Sequence, residues 1–334
     1  MRGKESSGWL AWIVFLGVIA ALIVFTTQLW RRGPISGGPI TVVEGDSGWP
    51  RTLVEQFPDG SEGRRLLVPA PPQRIVSVTL AVDEILMDLI GPARIVALSE
   101  LAPKPGSLLA ERVGSIRHFV SSDVESIIAL EPDLCFLASY NRKETRSLLI
   151  DSGIPVFVFS SFHSFEDIRK SIRTVGRAVG AEDEAKQLVG EMNRKLDFVA
   201  QRIPAKSEWP SVLAYGQSGW VAGSGTTQAE IFASAGLRNA AAEMGIKGHS
   251  QVSQEQVLAM DPDFFVVVSQ SVLAPGQEAW LMENPALAPL RAIQHRQVLT
   301  IQESQLSSVS HHVADAVLVL AQQVYPDKFP NDQP

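Results

Sequence analysis

The sequence predicts an α/β protein of two lobes joined by one long helix, with an apolar N-terminal segment set apart from both. Three observations carry this reading. Short β-branched runs alternate with helix-like stretches before residue 163 and again after residue 205. An amphipathic stretch fills the interval between them, and one nine-residue block occurs once on each side of it, 130 residues apart. Strands that are apolar on both faces need helices on both faces of their sheet, and a parallel sheet meets that need.

Residues 9–30, from Trp9 to Trp30, carry no charge, and 22 helical residues at about 1.5 Å each match a bilayer core of about 30 Å. Tryptophans mark both ends and Arg31-Arg32 close the segment. The run exceeds the apolar core of about 7–15 residues typical of a cleaved signal, and no A-x-A-like site follows it. The expectation is therefore a retained anchor, with residues 1–32 forming a cytoplasmic tip and a transmembrane helix. Arg2 and Lys4 nearly balance Arg31 and Arg32, so charge alone does not orient the span.

Residues 33–50 are rich in Gly, Pro and Ser and read as a linker, with order expected from Arg51. Thr52–Phe57, the turn Pro58-Asp59-Gly60 and Arg64–Val68 predict a strand, a turn and a returning strand. A first lobe over 51–163 follows from apolar runs at 74–78, 94–98, 133–138 and 155–160, with helices near 83–90 and 123–131. Over 164–204, Ser164 with Asp167 predicts a capped helix start, and Ile168, Ile172, Val175 and Val179 keep one face apolar as far as Gly180. A second, longer helix is marked by Leu188, Val189, Met192, Leu196, Val199 and Ile203 and stops before Pro204. The second lobe, 205–334, repeats the alternation with strands at 211–216, 264–269 and 297–301 and a closing helix near 311–323.

The repeated block supports two equivalent lobes. Glu125–Asp133 reads ESIIALEPD and Glu255–Asp263 reads EQVLAMDPD. Each places a capping residue (Asp123, Ser253) before a helix and a Glu in its first turn, then breaks at Pro before an apolar strand. A weaker echo pairs Asp83–Leu86 and Gly91 with Ala229–Phe232 and Gly236.

Composition narrows the function. The chain holds 29 Lys plus Arg against 36 Asp plus Glu, and outside the anchor and its charged flanks the balance is 25 to 35, net −10, which disfavours nucleic acid as a partner. The single cysteine, Cys135, sits inside an apolar run, which rules out an internal disulfide and a Cys-based zinc cluster. No G-x-S-x-G, P-loop, H-E-x-x-H or dinucleotide fingerprint is present, so the expectation is that the chain is not an enzyme.

Taken in order, PAPPQRIVSV at 69–78, Glu84-Ile85-Leu86, Val113-Gly114, Glu125–Asp133, Gly153–Val156, Val221–Thr226, Glu230–Phe232 with Gly236 and Asn239, Glu255–Asp263 and Val324-Tyr325-Pro326 resemble the substrate-binding proteins of ABC importers for cobalamin, ferric siderophores and haem. The resemblance spans about residues 51–330. It implies two Rossmann-like lobes bridged by a single long α-helix. It also implies a metal chelate as ligand, no intrinsic cofactor, and delivery to a dimeric permease with its ATPase outside the cytoplasmic membrane. Glu125 and Glu255 then match the carboxylates that meet permease arginines. Two departures stand out: no Cys follows the apolar segment to carry a lipid, and Thr79–Asp83 replaces the small polar loop usual after the first strand. A membrane-tethered ligand sensor without a transport role is the alternative.

Ligands of parallel α/β sheets sit beyond the carboxyl ends of strands. That rule selects Tyr140, Arg142, His163, Gln217, Trp220 and His311 as ligand-binding candidates. An aromatic pair and a guanidinium suit a large, partly planar chelate with carboxylates. Tyr140, His163 or His311 could each reach a haem iron, and His311 with Asp315 at i, i+4 could hold a metal on a helix. No several-residue run of His and carboxylates at short spacing predicts a resident metal site.

Overall fold

The computed structural model describes residues 40–44, 48–56, 62–159, 163–269 and 276–330. The apolar segment 9–30, expected to be an anchor, lies outside them. Among the described residues no helix is long and apolar enough to cross a membrane.

An antiparallel sheet opens the described chain, in the order β1 (Ile40–Glu44), β2 (Arg51–Gln56) and β3 (Glu62–Val68). Within the linker expected over 33–50, Ile40–Glu44 forms a strand instead, while residues 33–39 and 45–47 lie outside the described residues. Thr41-Val42-Val43 is a β-branched run, and it pairs with β2 in continuous register from Ile40 opposite Gln56 to Glu44 opposite Thr52. Buried Arg51 ties this sheet to the helical region: its guanidinium lies 4.5 Å from the Trp49 ring centre and pairs with Glu182 at 2.6 Å.

The first lobe runs β4 (Ile75–Ser77), α1 (Leu80–Leu89), β5 (Ile95–Ser99), β6 (His118–Val120), α2 (Val124–Ala129), β7 (Leu134–Ala138), α3 (Lys143–Asp151) and β8 (Val156–Phe159). Its five strands are all parallel in the order β6-β5-β4-β7-β8, so the winding reverses between β4 and β7. Helix α1 starts at Leu80 and not near 83. The unusual Thr79–Asp83 stretch is therefore no loop: Thr79 is the extended N-cap, and its carbonyl accepts from Asp83 N at 3.0 Å. Strands β7 and β8 are buried throughout, and Phe136, Phe157 and Phe159 pack with tilted rings whose centres lie 4.7–6.0 Å apart. Burying each such ring is worth about 1.5–3 kcal/mol.

Two helices come next, α4 (Phe165–Val179) and α5 (Glu182–Ala200). Ser164 caps the first, accepting from Asp167 N at 3.1 Å, and Gly180 ends it in the left-handed region at φ 70°. Gly176 lets the pair close tightly, since a Cβ there would lie 2.5 Å from Ala185 Cβ. The 19 residues of α5 pack against α1 and α4.

Beyond α5 the chain forms β9 (Ser211–Ala214), β10 (Trp220–Ala222), α6 (Thr227–Ser234), β11 (Arg238–Asn239), α7 (Ala240–Glu243), β12 (His249–Gln251), α8 (Gln254–Met260), β13 (Phe264–Ser269), α9 (Gly276–Glu283), α10 (Arg291–Gln294), β14 (Val298–Gln302), α11 (Glu303–Leu306) and α12 (Val313–Val324). A parallel sheet has the order β11-β9-β13-β14, and β10 pairs antiparallel with β12. Helices α6 and α12 also pack against α5. One continuous apolar core includes Ile85 and Phe136 of the first lobe, Val189 and Met192 of α5, and Ile231 and Val317 of the second.

The sequence repeat is a structural one. Asp133 N donates to Arg74 O at 3.0 Å and Asp263 N to Ser211 O at 3.0 Å, while the two carboxylates accept from the backbone at the start of β4 and β9. Glu131 and Asp261, also 130 apart, both hold positive φ, at 46° and 35°.

Candidate functional site

The reversal between β4 and β7 places Thr79 and Leu80, after β4, beside Tyr140, after β7. Those residues line a cavity of about 370 Å³ together with Glu84, Lys104 and, from the second lobe, Ser307 and Ser308. A second cavity, of about 460 Å³, opens beyond the ends of β9 and β13 and is lined by Tyr215, Gln217, Trp220, Gln228 and His249. Glu303 and Ser307, on the segment after β14, line both, so the two cavities share a wall. Each has the size of a small-molecule site.

The sequence candidates divide on this geometry. Tyr140 is 63% exposed and lines the first cavity; Gln217 and Trp220, the latter 40% exposed, line the second. Arg142 precedes α3, exposed and outside both linings. His163 is exposed, with its backbone N–H donating to Asp167 at 3.1 Å. Its charge also reaches His249, whose imidazole is held below its usual range first by burial and then by His163. His311 lies elsewhere: it lines neither cavity, and its Nε2 is 3.0 Å from Asp88. The expected His311–Asp315 pair at i, i+4 is replaced by His312–Asp315 at 3.0 Å, because α12 begins only at Val313 and His311 precedes its helical register.

Several lining residues lie beyond the strand-end rule as applied to the sequence. The loop after β5, carrying Leu101 and Lys104, is not among the strand ends it selected. Position after a strand was the signal available for it. His249 enters from β12, a three-residue strand too short and polar to announce itself. Glu303 and Ser307 were reachable, since they follow the predicted strand at 297–301.

One buried acid, Glu84, lines the first cavity. Glu84 on α1 accepts from Ser310 Oγ at 2.5 Å and Ser308 Oγ at 3.1 Å, linking the two lobes, and burial raises its carboxyl against those bonds. Glu230, its counterpart in the weaker sequence echo, likewise reaches out of its own lobe, accepting from Phe165 N at 2.5 Å. One turn beyond Glu84, Asp88 faces His311, His312 and Arg112, which together outweigh burial and hold it well below the carboxylate range. Burial opposes charge on His312, yet Asp315 and Asp88 prevail and push it up to about 9.

Asp83 is wholly buried, accepting from Ser99 N at 3.0 Å and Ser99 Oγ at 2.5 Å, and its Oδ1 has no partner. Burial pushes it from 3.8 up to about 7, with Ser77 and Ser99 opposing. Between about pH 4 and 7 the folded chain therefore keeps a proton that the unfolded chain has released, and each step up in pH removes stability until the full cost stands above pH 7. Asp83→Asn keeps an acceptor for Ser99 and removes the ion. Urea unfolding should show the substituted protein losing less stability than the unaltered one over that window and more stable at pH 8, by at most about 4 kcal/mol. Parallel pH profiles for the two proteins would refute the assignment.

Comparison with known proteins agrees with the fold. The family described as Periplasmic binding protein matches residues 75–304. An uncharacterized ABC transporter substrate-binding lipoprotein of Bacillus subtilis, YvrC, is 26% identical over 287 residues, covering 82% of this chain and 88% of its own. A cobalamin-binding protein of Halobacterium salinarum is 26% identical over 211 residues, covering 63% of this chain and 57% of its own. Among solved structures, the periplasmic haem-binding protein RhuT from Roseiflexus in apo form superposes with a TM-score of 0.64 at 25% identity, over 77% of this chain and 99% of that one.

Proposed function

The chain belongs to the Periplasmic binding protein family, and from that premise we propose that it captures a metal chelate (a ferric siderophore, cobalamin or haem) outside the cytoplasmic membrane and delivers it to an ABC importer. The observation that carries this reading is the pair of cavities sharing Glu303 and Ser307, with an exposed aromatic presented from each lobe, Tyr140 and Trp220. Two aromatic faces bury the body of a planar or macrocyclic ligand, and Gln217 and Lys104 meet its polar rim. Arg142, two residues beyond Tyr140, is the guanidinium we assign to chelate carboxylates. His163, on the loop following β8, is assigned to the same rim. Relatives named for cobalamin, Fe(3+)-citrate and haem binding support the ligand class.

Helix α5 is the single long bridge, its packing against α1 and α4 and against α6 and α12 supporting the assignment. One stiff helix between lobes allows a small closing motion and resists wide opening. Residues 9–30 are the tether: the only cysteine, Cys135, is buried in β7 with its thiol pushed up to about 12, so no exposed thiol offers itself to a lipid. Glu125 and Glu255, exposed on the first turns of α2 and α8, are the carboxylates that meet the permease.

Titration of intrinsic fluorescence with haemin, cobalamin and a panel of ferric siderophores tests the reading. One class should quench Trp220 saturably, and Trp220→Ala should weaken its binding at least about tenfold, a loss of about 1.4 kcal/mol, with an unchanged circular dichroism spectrum. No binding of any of the three would overturn the ligand class.

A further inference from the structure

Outside the cleft, Asp88 of α1 and the adjacent His311 and His312 before α12 bring one carboxylate oxygen and two ring nitrogens within 4.8 Å of one another. We propose that these three side chains form a divalent transition-metal site, of the zinc class, that fastens the first lobe to the second and is separate from the cargo cleft.

The spacing fits a metal. His311 Nε2 and His312 Nε2 stand 3.0 and 3.5 Å from the same atom, Asp88 Oδ2. A tetrahedral ion with bonds of about 2.0–2.1 Å separates its ligand atoms by about 3.3–3.4 Å, so small rotations would complete the triangle. Hydrogen bonding accounts for the closer pair; His312 Nε2, 3.5 Å from Asp88 Oδ2, is buried and lacks a hydrogen-bond partner of good geometry. Burial of an unpaired polar atom costs about 1–3 kcal/mol, and a metal would supply its partner.

The surrounding contacts orient the donors. Asp315 Oδ2 lies 3.0 Å from His312 Nδ1 and holds a proton there, so a metal ion would take the place of the proton on Nε2, which faces Asp88. Lys195 of α5 binds the other oxygen of Asp315, and Arg112 binds Asp88 Oδ1 through one nitrogen and reaches Oδ2 at 3.5 Å through the other, beside the two imidazoles. Carboxylates that steer ligating histidines are a usual support for zinc. Two imidazoles and one carboxylate suit zinc, cobalt, nickel or copper, whereas magnesium and calcium prefer oxygen alone. None of the three residues lines either cavity, so cargo and ion would not compete directly.

Full-length protein stripped with a chelator and titrated with Co(II), then with Zn(II) in competition, tests this. One equivalent of Co(II) should bind with the visible bands of a four- or five-coordinate nitrogen and oxygen site, and Zn(II) should displace it. Zn(II) should also raise the thermal midpoint by mass action. Asp88→Asn and His312→Ala should abolish both effects. Asp315→Asn, which removes only the orienting carboxylate, should weaken binding about 10- to 100-fold, and Trp220→Ala should leave it unchanged. Absence of one-to-one binding to the unaltered protein at micromolar metal would overturn the proposal even if the substituted proteins misfold. Retention of binding in folded Asp88→Asn and His312→Ala would overturn it equally.

Discussion

Gly223→Ala is expected to destabilise the chain by about 3 kcal/mol or more, at the upper end of what overpacking costs, because the new methyl would meet backbone and not a yielding side chain. A Cβ at Gly223 would lie 2.1 Å from the carbonyl oxygen of Ile246 and 2.5 Å from its carbonyl carbon. Neither backbone segment can step aside cheaply. Gly223 N donates to Gly248 O at 2.8 Å, Ser224 N to Ile246 O at 2.9 Å, and Gly248 N to Ser224 O at 2.9 Å. The thermal midpoint should fall by about 6–12 °C on the scale of about 2–4 °C per kcal/mol for domains of 150–250 residues. Gly225→Ala makes the contrast: Gly225 has φ 75° with open space around it, so only the left-handed backbone resists, at about 1–2 kcal/mol. Ligand affinity should drop with Gly223→Ala as well, since Trp220, Val221 and Ala222, just before it, line the second cavity. A melt indistinguishable from that of the unaltered protein would show that the two backbone segments can part without cost.

Reversal of charge at both Glu125 and Glu255, to Arg, should lower uptake through the permease at least about tenfold while ligand affinity stays within about twofold, because charges on a docking rim govern association and partner choice. Folding should be little affected. Both side chains are exposed, Asp123 still accepts from Ser126 N at 3.0 Å, and Ser253 with Gln256 still closes its capping box. Loss of the helix-dipole contribution costs about 0.3–1 kcal/mol at each site. Each single reversal should give an intermediate loss if the two lobes meet equivalent pockets. Intact uptake in the double reversal would return both residues to a purely local role at a helix start.

Much of the fold was legible because its signals are local. Apolar runs at 133–138 and 264–269 became β7 and β13 within a residue, since a strand buried on both faces must be apolar at every position. Ser164 and Gly180 bounded α4 because capping and left-handed termination involve only neighbouring residues. The duplicated block was visible for the same reason, although its function in the fold, with Asp133 and Asp263 holding the starts of β4 and β9, is a contact over 59 and 52 residues.

Strand ends alone located Tyr140, Gln217 and Trp220 at the cavities, because in a parallel sheet the chain's own direction decides which loops face a ligand. The sequence by itself therefore determined the central strands of the two parallel sheets, several of the helices around them, the repeat and part of the cavity lining. Only the tertiary structure decided which residues meet across the lobes. Glu84 with Ser308 and Ser310, and Asp88 with His311 and His312, join positions more than 220 residues apart. No periodicity encodes such pairs, because they depend on how α1 and the segment before α12 are brought together by the packing around α5. The same packing moved His311 from the expected cleft into a partly exposed polar cluster, where its nearest charged partner is a carboxylate of the opposite lobe.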